Sequence, residues 1–182
     1  MIIETATADD VPLLLEFRHQ TARWLRSRGI DQWSNPFPTE LLRASAEAGT
    51  VFIVRDNGVP AATVTLDDNP EPDLWSPEEL SEPCKHLHKL TVARDYAGQG
   101  LGGRLLNWAG DRTARVGGLW VRVNVWTTNE GLQAFWLSQG YEHVRTVAGG
   151  GVGGQGVSGW LAQRRALPTD HGFDDRTERS RT

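Results

Sequence analysis

The chain of 182 residues is poor in cysteine, lysine, methionine and long apolar runs. Its one cysteine, Cys84, excludes an internal disulfide and fits a reducing compartment. Its longest uncharged run, Thr146 to Gln163, contains seven glycines and is interrupted by Gln and Ser, so it does not read as a spanning helix. The first ten residues carry Glu4, Asp9 and Asp10 and lack the basic start of a signal peptide. A net charge of −4 gives no electrostatic footprint for nucleic acid. The expectation is a cytoplasmic protein with no membrane and no nucleic-acid partner. Only Lys85 and Lys89 are lysines; the other 17 of the 19 basic residues are arginines.

What remains is ordinary for a folded domain: 38% apolar and 23% charged residues. A chain of this length buries roughly two-thirds of its unfolded surface, so its core needs no disulfide or metal. Ile2–Thr5 reads as a strand. Asp9 is placed to cap a helix whose apolar stripe is Val11, Leu14, Leu15, Ala22 and Leu25. Asn35 to Pro38 break the chain before a short helix over 39–48. Two strands, 50–55 and 59–66, flank Asn57-Gly58, a strong hairpin signal. A loop with four prolines covers 67–84, and a strand runs from His86 to Val92. A helix over 100–116 buries Leu101, Leu105, Trp108, Ala109 and Val116 and stops at Gly117-Gly118. Strand 119–126, helix 129–139 and strands 141–147 and 157–164 follow, the last two separated by a Gly-rich loop, 149–156. This order predicts one α/β domain over 1–166, a mixed, mostly antiparallel sheet of about seven strands with helices on both faces. Residues 167–182 read as a flexible C-terminal tail.

The most informative stretch joins the strand ending at Val92 to the following helix. Gly98, Gly100, Gly102 and Gly103 occupy four of six positions there. Glycines let backbone approach a ligand closely, and a helix start offers unpaired N–H groups and partial positive charge. Together they suit a pyrophosphate. A Walker A loop is excluded because no Lys-Ser/Thr follows; the dinucleotide fingerprint lacks its third glycine and sits after the wrong strand.

The stretch Ala97-Gly98-Gln99-Gly100-Leu101-Gly102 resembles motif A of the GNAT superfamily of N-acetyltransferases, Arg/Gln-x-x-Gly-x-Gly/Ala. Asn129, Leu132, Phe135 and Gly140-Tyr141 resemble that family's later helix motif, and the resemblance spans residues 2–165. It implies acetyl-CoA as co-substrate. Backbone at Leu90, Thr91 and Val92 would line the pantetheine arm, and Ala97 to Gly103 would cradle the phosphates, with Arg104 as counter-charge. Asn129 stands where the family uses an Asn toward CoA. Two positions depart from the pattern. Ala97 replaces Arg or Gln, and Trp136 replaces a frequent Tyr that protonates the departing thiolate; an indole N–H is no practical acid.

His86 and His88 share one face of their strand, about 6.6 Å apart by strand rise. Imidazole titrates near neutrality, so they are candidate bases for deprotonating an amine. The His-x-His-x-Leu-x-Val spacing is similar to that of serotonin N-acetyltransferase, a member of the same family. Cys84 shares that face, which leaves open a metal site through Cys84, His86 and His88, or a plain hydrogen-bonded histidine pair.

Seven carboxylates between Asp67 and Glu82, with no Lys or Arg among them, suggest a rim attracting a cationic amine or an ordinary solvated loop. Eight tryptophans are many for this length. Trp24, Trp33 and Trp75 fall where the family walls its acceptor site, or simply fill the core. The resulting expectation is an N-acetyltransferase moving acetyl from acetyl-CoA to a small-molecule primary amine by direct attack, with a homodimer compatible with it. The alternatives are a CoA-binding module without efficient catalysis and a metal-binding protein.

Overall fold

The computed structural model describes residues 1–148 and 158–178. The Gly-rich loop expected over 149–156 lies outside the described residues, as does the end of the tail, 179–182. Every expected strand and helix is present, with two additions, α3 and β8, so the mostly antiparallel sheet has eight strands. Their hydrogen-bonded order is β6-β7-β5-β4-β3-β2-β1-β8. By internal contacts the chain forms two compact units: residues 1–66, 89–105 and 171–182, and residues 67–88 and 106–170.

In the first unit, β1 (Ile2–Thr5) pairs antiparallel with β2 (Val51–Asp56), and β2 with β3 (Val59–Asp67). The β2–β3 turn is the expected Asn57-Gly58, with φ of 48° and 83°. Both residues lie in the left-handed region that a tight hairpin turn requires. Helix α1 (Val11–Arg26) lays Val11 and Leu14 against Val51 and Ile53, together with Leu42 of α2 (Thr39–Glu47). Its start is not capped by Asp9 as expected. Asp10 stands at that position instead, with no side-chain bond to the helix: its carboxylate accepts from the Thr7 N–H at 2.9 Å and pairs with Arg55 at 2.8 Å.

The expected tail is a structured segment over 171–177. Strand β8 (Asp174–Asp175) pairs parallel with β1, and the Arg176 N–H donates to the Ile3 carbonyl at 2.9 Å. Phe173 is buried. A two-residue acidic strand has no alternation to read, so periodicity gave no sign of it.

The second unit contains the first part of β4 (Cys84–Val92), which pairs parallel with β5 (Trp120–Val125) in the register His86↔Arg122. Strand β7 (Trp160–Arg165) lies antiparallel between β5 and β6 (Glu142–Thr146). Two helices belong wholly to it: α3 (Pro77–Ser81) and α5 (Glu130–Ser138). Helix α3 arises inside the expected loop because Ser76 and Glu79 form a capping box. Arg145 grips Glu79 with two bonds of 2.6 and 2.7 Å, and this pairing holds the Glu79 carboxyl down at about 2. Helix α4 (Leu101–Arg115) begins in the first unit and continues into the second. It buries Leu101, Leu105, Trp108 and Ala109 as expected, but Val116 lies past its end and is exposed.

Candidate functional site

The glycine turn belongs to the first unit. Strand β4 ends at Val92, and the Ala93 N–H is tied to the Ala61 carbonyl at 2.9 Å. After a single 3-10 turn at Arg94–Tyr96, the chain enters α4 through Gly98 and Gly100. Their φ angles are 77° and 76°, and a Cβ built on either would meet no atom of the protein within 4 Å. The turn is thus bare backbone beside open space, leading into a 15-residue helix whose first N–H groups have no acceptor within the helix. That donor set fits a polyanionic phosphate group.

Side chains around the turn contribute less than expected. Ala97 brings no donor, and Gln99 Nε2 donates to the Asp95 carbonyl at 2.7 Å, bracing the turn itself. Arg104, expected as the counter-charge to phosphate, is turned to the C-terminal segment instead. It donates to the carbonyls of His171 at 3.0 Å and Gly172 at 2.6 Å, and stacks on Phe173 at 4.3 Å. Position alone could not show this, because its partners lie 67 and 68 residues away. In β4, Leu90 and Val92 are half-buried and Thr91 is buried, its hydroxyl donating to the Lys89 carbonyl. Lys89 has φ of 52°, a left-handed residue inside a strand, which breaks the regular alternation there.

Two of the three expected acceptor-site tryptophans are also in this unit. The Trp24 ring is faced by two cations already, Arg28 at 4.5 Å and Arg94 at 4.2 Å. Trp33, together with Phe37, lines a recess, and Arg18 lies 5.0 Å from each ring.

The second unit contains His86 and His88. Their rings stack 6.3 Å apart at 20°, close to the spacing that strand geometry gives. His86 is buried, edge-on to Trp75 at 5.8 Å, and its Nδ1 has no partner among the described residues. Burial, reinforced by the neighbouring His88 and Arg122 charges, depresses its pKa to about 4. His88 Nε2 faces Asp67 Oδ1 and the Asn69 carbonyl, each at 3.2 Å. Burial works to raise the Asp67 pKa, but the hydrogen bond and charge of His88 bring it below the usual value. Asp67 lies 21 residues before His88, and no sequence signal joined the two.

Trp75 is buried against His86 rather than exposed on an acceptor wall. The metal alternative also loses its geometry. Cys84 Sγ faces His86 Nε2 at 3.6 Å and accepts from Arg122, while His88 turns to Asp67. Among the described residues no group of three or more His, Cys, Asp or Glu is placed to hold a metal ion. Four of the seven carboxylates of the acidic segment have partners within the unit: Asp67 pairs with His88, Asp68 with Lys85, Glu79 with Arg145 and Glu82 with the buried Arg122.

Asn129 caps α5, its Oδ1 accepting from the Leu132 N–H at 3.0 Å. Trp136 is buried, edge-on to Tyr141 at 4.8 Å, with no partner for its indole N–H among the described residues. Burial pushes the Tyr141 phenol well above the usual tyrosine range, so it stays protonated.

A mixed, mostly antiparallel sheet with a strand–glycine turn–helix at its fourth strand defines the class: an α/β fold with a turn suited to a phosphate-bearing ligand. The profile of the Acetyltransferase (GNAT) family matches residues 18–141. The chain belongs to that family. It is 32% identical over 151 residues to the uncharacterized N-acetyltransferase YesJ of Bacillus subtilis (strain 168), covering 80% of this chain and 83% of that protein. Among solved structures, a GNAT-family acetyltransferase from Listeria monocytogenes 4b F2365 superimposes with a TM-score of 0.74 at 21% identity, over 90% of this chain and 94% of the other. YncA from Salmonella typhimurium, solved with its cofactor acetyl-CoA, gives a TM-score of 0.64 at 18% identity over 96% and 97%. No helix among the described residues is long and apolar enough to cross a membrane.

Proposed function

We propose that the protein transfers an acetyl group from acetyl-CoA to a primary amine by direct attack. The observation that carries this reading is the bare turn at Gly98 and Gly100, left-handed and open, at the start of α4 in a chain of this family. Backbone N–H groups of residues 98–103 would hold the pyrophosphate, and backbone at Leu90 to Val92 the pantetheine arm. Acetyl-CoA supplies an activated thioester when bound. The chain's own task is to hold it, to polarise the carbonyl with backbone donors, and to take the amine's proton.

His88 is the proposed base. Asp67 fixes its ring through Nε2, which leaves Nδ1 to accept a proton, directly or through water. His86, neutral above about pH 4, stacks on it and keeps a second charge away. Trp136 acts by packing, not by donating a proton. Asn129 shapes the start of α5.

A second reading, CoA binding without efficient catalysis, is favoured by Ala97, by the absence of an acid at Trp136 and by the commitment of Arg104 to the C-terminal segment. The test is CoA release from acetyl-CoA across a panel of primary amines, set beside calorimetric binding of CoA. Turnover establishes transfer; CoA binding with no turnover on any amine leaves the second reading.

A further inference from the structure

The first unit has a recess whose electrostatics run opposite to a site for a plain cationic amine. It is lined by Arg18 and Lys89, and no carboxylate is among its lining residues. Both cations address one ring: Arg18 Cζ and Lys89 Nζ each lie 5.0 Å from the Phe37 centroid. Three threonines, Thr63, Thr65 and Thr91, are buried along its wall. Burial acts on the Arg18 guanidinium and lowers its pKa, so this cation is partly stripped of water, and it donates to the Asn35 carbonyl at a long 3.4 Å. Trp33, on the rim, is held at φ of 63°, a backbone state a bulky residue rarely adopts.

The free volume is about 30 Å³. A water needs roughly 10–15 Å³ by this measure, so the recess takes about two waters or the two oxygens of one carboxylate. A planar fork and an ammonium converging on so small a space match a carboxylate better than a neutral group. Phe37 and Trp33 supply an apolar, aromatic wall for whatever carries it.

We propose that the acceptor is an amine bearing a carboxylate on an apolar or aromatic body, its carboxylate seated between Arg18 and Lys89. This rests on the acetyl-transfer reading for the amine end, while the anion subsite is testable without turnover. The first arm is calorimetric titration with benzoate, with inorganic phosphate in parallel. Benzoate is expected to bind, and Arg18→Gln to weaken it by about fivefold or more; Lys89→Gln serves as a second variant should the first fail to fold. The second arm compares 4-(aminomethyl)benzoate with its carboxamide as acceptors. The acid is expected to exceed the amide in kcat/KM by about tenfold, and Arg18→Gln or Lys89→Gln to bring that ratio toward one. Absence of benzoate binding, phosphate binding in its place, or an amide used as well as the acid would overturn the subsite. Benzoate binding without CoA release from any amine would retain the subsite and reject acetyl transfer.

Discussion

Asp67 Oδ1 lies 3.2 Å from His88 Nε2, so a carboxylate at the end of β3 orients an imidazole in the middle of β4. This pairing separates the two histidines of the strand into unlike groups. If His88 is the base, His88→Gln should lower kcat by about 10²-fold. Asp67→Asn should lower it less, because the ring keeps a hydrogen-bond partner at the Asn69 carbonyl. His86→Gln should leave the pH profile near neutrality in place, since His86 is already neutral above about pH 4. Steady-state pH profiles of the three variants check this; equal losses in all three would reject the division of roles.

His86 also makes a stability prediction. Its pKa is about 4 in the folded chain against an ordinary value of 6.5. Between those values the unfolded chain binds the extra proton, so stability falls as pH drops from about 6.5 to about 4. The loss from this group is on the order of 3 kcal/mol. Urea unfolding at pH 7 and pH 4.5 should show it, and His86→Gln should shrink the difference. An unchanged difference in the variant would mean that other groups carry the acid sensitivity.

At the glycine turn, Gly100→Asp places a negative charge against the bound phosphates and an L-residue at φ of 76°. The open space around it means that strain, not a clash, sets the folding cost, about 1–2 kcal/mol. CoA binding should nevertheless be lost by calorimetry. Full binding in a folded Gly100→Asp protein would remove the turn from the site.

The C-terminal segment should prove structural. Phe173→Ala removes a buried ring that carries the Arg104 guanidinium, and should cost about 3 kcal/mol in urea unfolding. A cost below about 0.5 kcal/mol, the level of an unremarkable surface change, would mean that the segment does not hold.

Trp136→Phe should keep most acetyl transfer. The ring contact with Tyr141 is largely retained and a buried donor without a partner is removed. Loss of kcat as complete as in His88→Gln, with CoA binding intact, would assign the indole N–H a direct part.

Local chemistry made much of this legible. The Asn57-Gly58 hairpin, the glycine turn before α4 and the shared face of His86 and His88 all depend on residues within a few positions of one another. What escaped depends on distant partners. Arg104 finds its carbonyls at 171 and 172, and Asp67 finds His88, through tertiary structure alone. The pairing of Glu82 and Glu79 could not be read from the acidic segment because Arg122 and Arg145, their partners, come 40 and 66 residues later. Helix α3 is the exception. Its Ser76–Glu79 capping box was present to be read, but four prolines nearby suggested a loop.

The register of β4 bears on how this chain can vary in length. The start of β4 is pinned by the register Cys84↔Trp120 to His86↔Arg122. An inserted or deleted residue between His86 and His88 would send His88 to the opposite face from its Asp67 partner. Elsewhere, in surface connections, the chain can gain or lose residues at little cost. Over the short step from His86 to His88 it can exchange side chains but not count.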